Sequence, residues 1–300
     1  MLVHKKCNKI ITYICGGIGN QLFIYAAARR MSIVNDVELV LDDQSGFLND
    51  FEFKRFYQLD NFNIPCRKAN KLERLEPLSR LRRYLIKKFQ ILCKKRILLQ
   101  DGIDFNSWIL NYRPTGITYI EGYWQSEKYF KDCENQIRDE LVIIPPTDNL
   151  NLYFSKIIEL NNSIALHVRF FDSTVSGKDA SGGLNTNYYL KAIEYIKQHI
   201  NSPHFFIFSD DPERAVSIIP LEENQFTLIK HNIGDKMAYA DLWLMSKCKH
   251  FIIANSTFSW WGAWLSINHG KIVIAPGFKK YEGNSFWGFD GLLPDNWIKL

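Results

Sequence analysis

Long apolar runs are missing from this chain of 300 residues. A bilayer-spanning helix needs roughly 18 consecutive apolar residues or more, and no stretch approaches that. The opening sequence MLVHKKCNKIITYICGG has an apolar run of only about five residues before glycine, too short for the core of a secretory signal. Cysteine is sparse and scattered: Cys7, Cys15, Cys66, Cys93, Cys133 and Cys248 form no C-x-x-C pair. That distribution argues against a zinc site and a disulfide framework, and fits a reducing compartment. Two nucleotide signatures are missing as well. Gly16-Gly17-Ile18-Gly19-Asn20-Gln21 lacks the G-x-G-x-x-G spacing of dinucleotide-binding turns, and no Gly-Lys-Ser/Thr follows it, so it is not a P-loop. The C-terminal half has no D-x-D pair to hold a divalent cation, because Asp210-Asp211 is adjacent and precedes proline. These absences predict a soluble, cytoplasmic protein without a metal or cofactor.

The composition that remains is that of a folded protein. With 46% hydrophobic residues and 14% aromatics it can bury sizeable cores, and its length suggests about two domains. Net charge is +5, too small to imply a general preference for nucleic acid, but it is unevenly placed. Between Cys66 and Leu99 twelve Lys or Arg face only Glu73 and Glu76, a local balance of +10. Leu75, Leu78, Leu81, Leu85, Phe89 and Leu92 recur there at three- or four-residue spacing, which predicts a basic amphipathic helix or helix pair over 72–99. Such a segment is either a solvated charged face or a contact for anionic lipid or a lipid-linked acceptor.

Elsewhere the pattern alternates strand and helix. Lys9 to Cys15 is a β-branched run entering the glycine turn, followed by a helix over Leu22–Val34 and a strand over Val37–Leu41. Strand Ile117–Ile120 precedes Gly122-Tyr123-Trp124-Gln125-Ser126, and Pro145-Pro146 is the strongest breaker in the chain. Beyond it, strands at 163–168, 204–208, 226–229, 251–254 and 271–275 alternate with short helices, a doubly wound parallel sheet. The expected fold is therefore α/β, two Rossmann-like doubly wound domains facing a cleft. The first is 1–147 with a basic helical insert at 66–99. The second is 148–300, with a C-terminal tail that packs back on the first.

Ligands of such sheets bind beyond the C-terminal strand ends. In the second domain that edge collects Arg169, Asp172, Ser209, Asp210, Asp211, Asn255, Ser256 and Thr257. An arginine grips phosphate bidentately, and a hydroxyl-rich turn opening a helix offers N–H groups to an anion. Taken singly, Asn255-Ser256-Thr257 is as well explained by an ordinary helix cap. The set together can hold a nucleotide diphosphate without a metal, with a carboxylate for ribose hydroxyls, which is what a GT-B glycosyltransferase requires. A carboxylate or histidine would take the proton of the acceptor hydroxyl.

The order GGIGNQLF…YA, GYWQSEKYF, HVR…D, FSDD and NSTFSWWGAW resembles the bacterial galactoside α-1,2-fucosyltransferases, glycosyltransferase family 11, over nearly the whole chain. The resemblance implies GDP-β-L-fucose as donor, no metal, and inversion to an α-1,2-fucoside on a galactose-terminated or lipid-linked acceptor in O-antigen or capsule synthesis. It implies Gly17, Gly19, Asn20, Gln21, Arg169, Ser209, Asp210, Asp211, Asn255, Ser256 and Thr257 as donor contacts. Arg169, Asp172 and His167 are the catalytic candidates, and Tyr123, Trp124 and Gln125 the acceptor candidates. One departure stands out. Where the family usually carries H-x-R-R-x-D, this chain has Phe170 at the second arginine, so Arg169 lacks its neighbour. The remaining alternatives are another nucleotide sugar on the same scaffold, or a non-catalytic protein that binds GDP or a glycan.

Overall fold

The computed structural model describes residues 8–89, 92, 94–170, 184–282 and 285–300. The chain divides into two units, the first running to Val142 and including Asp290–Leu292, the second spanning Ile143–Phe289 and Leu293–Leu300.

The first unit holds β1 (Lys9–Tyr13), α1 (Ile18–Asn35), β2 (Glu38–Asp42), β3 (Arg67–Lys68), α2 (Ser79–Lys88), β4 (Lys95–Leu99), β5 (Ile117–Glu121) and α3 (Glu134–Glu140). Its strands lie in the order β3-β2-β1-β5-β4, all neighbours parallel. Parallel strands are covered on both faces, which is why Ile10-Ile11 and Leu39-Val40-Leu41 are unbroken apolar runs, all buried. Helix α1 is buried nearly all round in its middle: Leu22, Phe23, Ile24, Tyr25 and Ala26 are all inaccessible. Its C-terminal half is anchored by Arg29, which donates to Glu140 of α3 at 2.7 Å.

The basic segment departs from the expected helix or helix pair. The helix described there is Ser79–Lys88, and Lys95–Leu99 is an edge strand paired with β5, Ile97 opposite Tyr119. The strand carries the same basic charge as the helix and begins three residues after the last spaced apolar position, Leu92. Lysine and arginine on an edge strand also discourage pairing with another chain.

The second unit holds α4 (Asn149–Leu160), β6 (Asn162–Val168), α5 (Thr186–His199), β7 (Pro203–Ser209), α6 (Pro212–Ile218), β8 (Phe226–Ile229), α7 (Ala238–Lys247), β9 (His250–Ile252), α8 (Thr257–Leu265) and β10 (Val273–Ala275). An antiparallel pair, β11 (Lys280–Glu282) with β12 (Ser285–Trp287), precedes β13 (Ile298–Lys299). The sheet runs β13-β10-β9-β6-β7-β8, all neighbours parallel, one strand more than the sequence suggested. Helices α7 and α8 meet closely at Gly262, where a Cβ would fall 2.3 Å from the Met245 sulfur. No described helix is long and apolar enough to cross a membrane.

Both sheets contain a reversal of strand order. In the first unit the chain builds outward from β1 through β2 and β3, then returns to the other side of β1 with β5. In the second it builds from β6 through β7 and β8, then returns beside β6 with β9. The crevice at the C-terminal ends of the two strands flanking a reversal is where doubly wound sheets take their ligands.

Candidate active site

In the second unit the reversal lies between β6 and β9, and it gathers most of the residues the sequence singled out. The register that pairs Val168 with Ser209 brings Arg169 beside Asp210. An Nη1 of Arg169 lies 3.3 Å from Asp210 Oδ2, both side chains partly exposed. The other oxygen, Oδ1, accepts the Phe170 backbone N–H at 3.2 Å. Asp210 thus fixes the backbone leaving β6 and orients the guanidinium, and its remaining lone pairs are available to a ligand hydroxyl.

Ser209 and Asp211 are placed differently from the donor contacts expected of them. The Ser209 hydroxyl donates to the Asp211 carbonyl and accepts the Asp211 N–H, each at 3.1 Å. Asp211 is the N-cap of α6, its carboxylate accepting the Arg214 N–H at 3.1 Å. A polar residue at a strand end is as useful for starting the next helix as for holding a ligand, and here Asp211 caps the helix while Ser209 braces the turn before it.

His167 is buried at the end of β6, its ring centroid 5.4 Å from that of Phe258. Burial, with the Arg169 charge adding to it, pushes the imidazole down to about 3. Its Nδ1 is buried with no hydrogen-bond partner. The ring is neutral near pH 7 and binds a proton too weakly to serve well as the general base expected of it. The proposed partner for that role, Asp172, lies outside the described residues.

On the other side of the reversal, Ser256 is the N-cap of α8, its hydroxyl accepting the Phe258 N–H at 3.3 Å. Asn255 is buried just before it and Thr257 is the first helical residue. The first turn of α8 contains no acidic side chain, so its positive end is not neutralised from within the helix. Trp260, Trp261 and Trp264 all point into the core, and Trp260 packs against Trp297 at 5.4 Å. With no exposed ring face they brace the turn and do not stack on a sugar. Two residues the sequence reading passed over support the same edge from α5. Tyr189 donates to the His167 carbonyl at 3.2 Å, and Tyr188 to the Ile253 carbonyl at 2.7 Å.

The first unit has its own constellation at the β1/β5 reversal. Gly16 sits in the left-handed region with φ +74°, where a side chain is strained, and Gly17 caps α1. Asn20 Oδ1 accepts from Gln125 Nε2 at 2.8 Å, joining the glycine turn to the segment after β5. Gln21 is fully buried; its amide donates to the Gly16 and Phe56 carbonyls and accepts the Gln58 N–H, each at 2.8 Å. Those bonds make it a clamp on the 56–58 segment, and Gly19 is buried within α1, so neither presents a donor contact at the surface.

Trp124 is corrected from acceptor wall to core. It is 2% exposed, backs a small cavity with Ala28, Met31 and Ile120, and meets Tyr129 edge-on at 5.5 Å. Tyr123 stays half-exposed, its phenol pushed up to about 12 chiefly by burial and next by Cys15. Gln100, not anticipated from sequence, holds this bend by accepting the Tyr123 and Trp124 N–H groups at 2.7 and 2.9 Å. Arg55, also missed, places its guanidinium carbon 4.0 Å from where a Cβ on Gly17 would be.

Comparison with known proteins extends what this geometry suggests. Residues 10–298 match the family described as Glycosyl transferase family 11. The chain is 31% identical to an Escherichia coli alpha-1,2-colitosyltransferase over 97% of its own length and 98% of the relative's. It is 32% identical to the E. coli O-antigen biosynthesis glycosyltransferase WbnK over 96% and 100%. Among solved structures, a mutant of Arabidopsis thaliana FUT1 in complex with GDP superposes with a TM-score of 0.53 at 13% identity, covering 98% of this chain and 76% of that one. At that identity the likeness speaks for the fold alone, a GT-B-like pair of parallel-sheet α/β units.

Proposed function

Because this chain belongs to glycosyltransferase family 11, we propose that it transfers L-fucose from GDP-β-L-fucose to the 2-hydroxyl of a terminal β-galactoside, with inversion and without a metal. The observation that carries the reading is the β6/β9 edge. Arg169, set by Asp210, directly follows β6, the strand beside β9, and the first turn of α8 after β9 carries no acidic side chain. In the transfer the bond between the sugar C1 and the phosphate oxygen breaks as the acceptor oxygen attacks C1 from the opposite face. Negative charge grows on the departing GDP, where fixed positive groups stabilise it. The acceptor proton passes to a carboxylate, for which Asp172 is the candidate. Asp210 suits the ribose or sugar hydroxyls. In the first unit, Tyr123 and Gln125 are proposed acceptor contacts, with the Gly16-Gly17 turn shaping the edge beside them.

A second reading of the donor has a specific observation behind it. One relative is a colitosyltransferase, and colitose is L-fucose lacking the 3-hydroxyl. A pocket that hydrogen-bonds that hydroxyl rejects the deoxy sugar by about 10⁴-fold or more, whereas an apolar pocket discriminates by ~10–200-fold. Incubation with GDP-fucose and GDP-colitose in turn, against a panel of β-galactosides, decides between them. Consumption of neither, with either acceptor set, would overturn the fucosyl reading and its deoxy variant together. The kinship with WbnK supports an O-antigen acceptor as the natural context.

Helix α2 supports a peripheral contact with an anionic membrane. Leu81, Leu85 and Phe89 fall on one stripe with 52%, 42% and 42% exposure, flanked by Arg80, Lys87 and Lys88. Arg83, by contrast, is tied to Glu121. An exposed apolar stripe between cations fits the interface of an acidic bilayer. Flotation with vesicles containing phosphatidylglycerol should carry the protein upward, and Leu81→Ser with Leu85→Ser should leave it at the bottom. Equal flotation of both would remove the assignment.

A further inference from the structure

We infer that Arg214 is the second guanidinium of the donor diphosphate site, supplied from α6 rather than from β6; this rests on the donor reading above. A nucleoside diphosphate leaving a sugar carries more negative charge than one arginine offsets, and Arg169 already shares its charge with Asp210 at 3.3 Å. The sheet places a second cation beside it. Arg214 lies in the first turn of α6, two residues after Pro212, and its backbone N–H is held by the Asp211 cap. Side chains in a first turn lean back toward the helix N-terminus, here toward the C-terminal edge of β7. The contact confirms the direction: the Arg214 guanidinium carbon sits 4.1 Å from the ring centroid of Phe170, the residue immediately after Arg169.

That contact also suits anion binding. A guanidinium held by its face on an aromatic ring keeps its N–H donors in the plane, where a phosphate oxygen approaches bidentately. Phe170 is 7% exposed and packs into the core beneath, so it is a fixed platform while the arginine above it stays exposed. Two guanidinium groups, one on the residue after β6 and one from the helix that follows β7, thus stand at the C-terminal ends of neighbouring strands.

The plain alternative is that Arg214 only covers the Phe170 ring. Arg214→Met separates the two, because it keeps an unbranched apolar cover and removes the charge; Arg214→Gln is the second variant should the first fold poorly. Calorimetric titration of the full chain with GDP and with GMP is the readout. Loss of a charge-assisted contact should weaken GDP binding tenfold to a hundredfold and GMP, with less charge, by about threefold or less, with Tm within a few degrees of wild type. GDP affinity within twofold of wild type, or equal losses for GDP and GMP, would overturn the inference. If the wild type prefers UDP over GDP, the guanosine assignment falls and Arg214 is judged on the UDP to UMP ratio. If it binds no nucleoside diphosphate, both fall together.

Discussion

His167 offers a quantitative test of how the β6 edge is built. An imidazole held near 3 in the folded chain and near 6.5 when unfolded binds its proton mainly in the unfolded state. Its contribution to stability is therefore complete above about pH 6.5 and is lost progressively as pH falls toward 3. At pH 5 the unfolded chain has gained about 1.5 pH units of proton binding that the native state lacks, a loss of about 2 kcal/mol. Replacing the ring by an amide, His167→Asn, removes this dependence while keeping a polar atom near the Nδ1 position. Urea unfolding of both proteins at pH 7.5 and pH 5.0 gives four free energies. The wild type should lose about 2 kcal/mol more than the variant between the two pH values. His204, His231 and His250 are also pushed down by burial, but they titrate in both proteins and cancel in the comparison. Identical losses in wild type and variant would mean that His167 is not held neutral by its surroundings, and its buried, unpartnered Nδ1 would need another explanation.

Three further outcomes are expected. Arg169→Ala should lower donor turnover by about 10²–10³-fold, the scale of losing one fixed group facing developing charge; near wild-type kcat would remove its role. Asp241 is pushed up to about 7 by burial, against a weaker downward pull from the Asn232 amide 2.8 Å away. Its stabilising share is full below pH 4 and disappears as pH rises through 7, so Asp241→Asn should gain Tm relative to wild type from pH 5 to pH 8; a constant difference contradicts this. Trp260→Ala should cost about 3–5 kcal/mol in chemical unfolding, because the ring is fully buried against Trp261, Trp264 and Trp297; a loss below ~1 kcal/mol would show that the cluster does not brace the turn.

The parallel sheets were legible because strands covered on both faces are almost entirely apolar, as in Ile164 to Leu166 and Phe205 to Phe208. The two-residue strands at Arg67–Lys68 and Ile298–Lys299 were not, since so short a segment has no periodicity to display. Lys95–Leu99 was hidden because it follows within the same basic run, three residues after the helix-spaced apolar positions end at Leu92. At the site, Arg169 and the Asn255–Thr257 turn could be located by their place after buried strands. What sequence could not decide is which polar residues face the crevice, since Ser209, Asp211 and Ser256 have the same side chains whether they bind a ligand or start a turn or helix. Nor could it find Gln100, Arg55 or Arg214, each of which reaches its place from a segment with no motif of its own. Phe170 looked like a lost charge in sequence; in the fold it is the surface on which another charge rests.

The central claim is the transfer itself, and product analysis tests it most directly. Purified protein, GDP-fucose and a β-galactoside should give GDP and a disaccharide or longer glycan whose new bond is α-1,2 to galactose by NMR. No transfer from GDP-fucose under conditions where another nucleotide sugar is consumed, or a bond to a different hydroxyl, would contradict it.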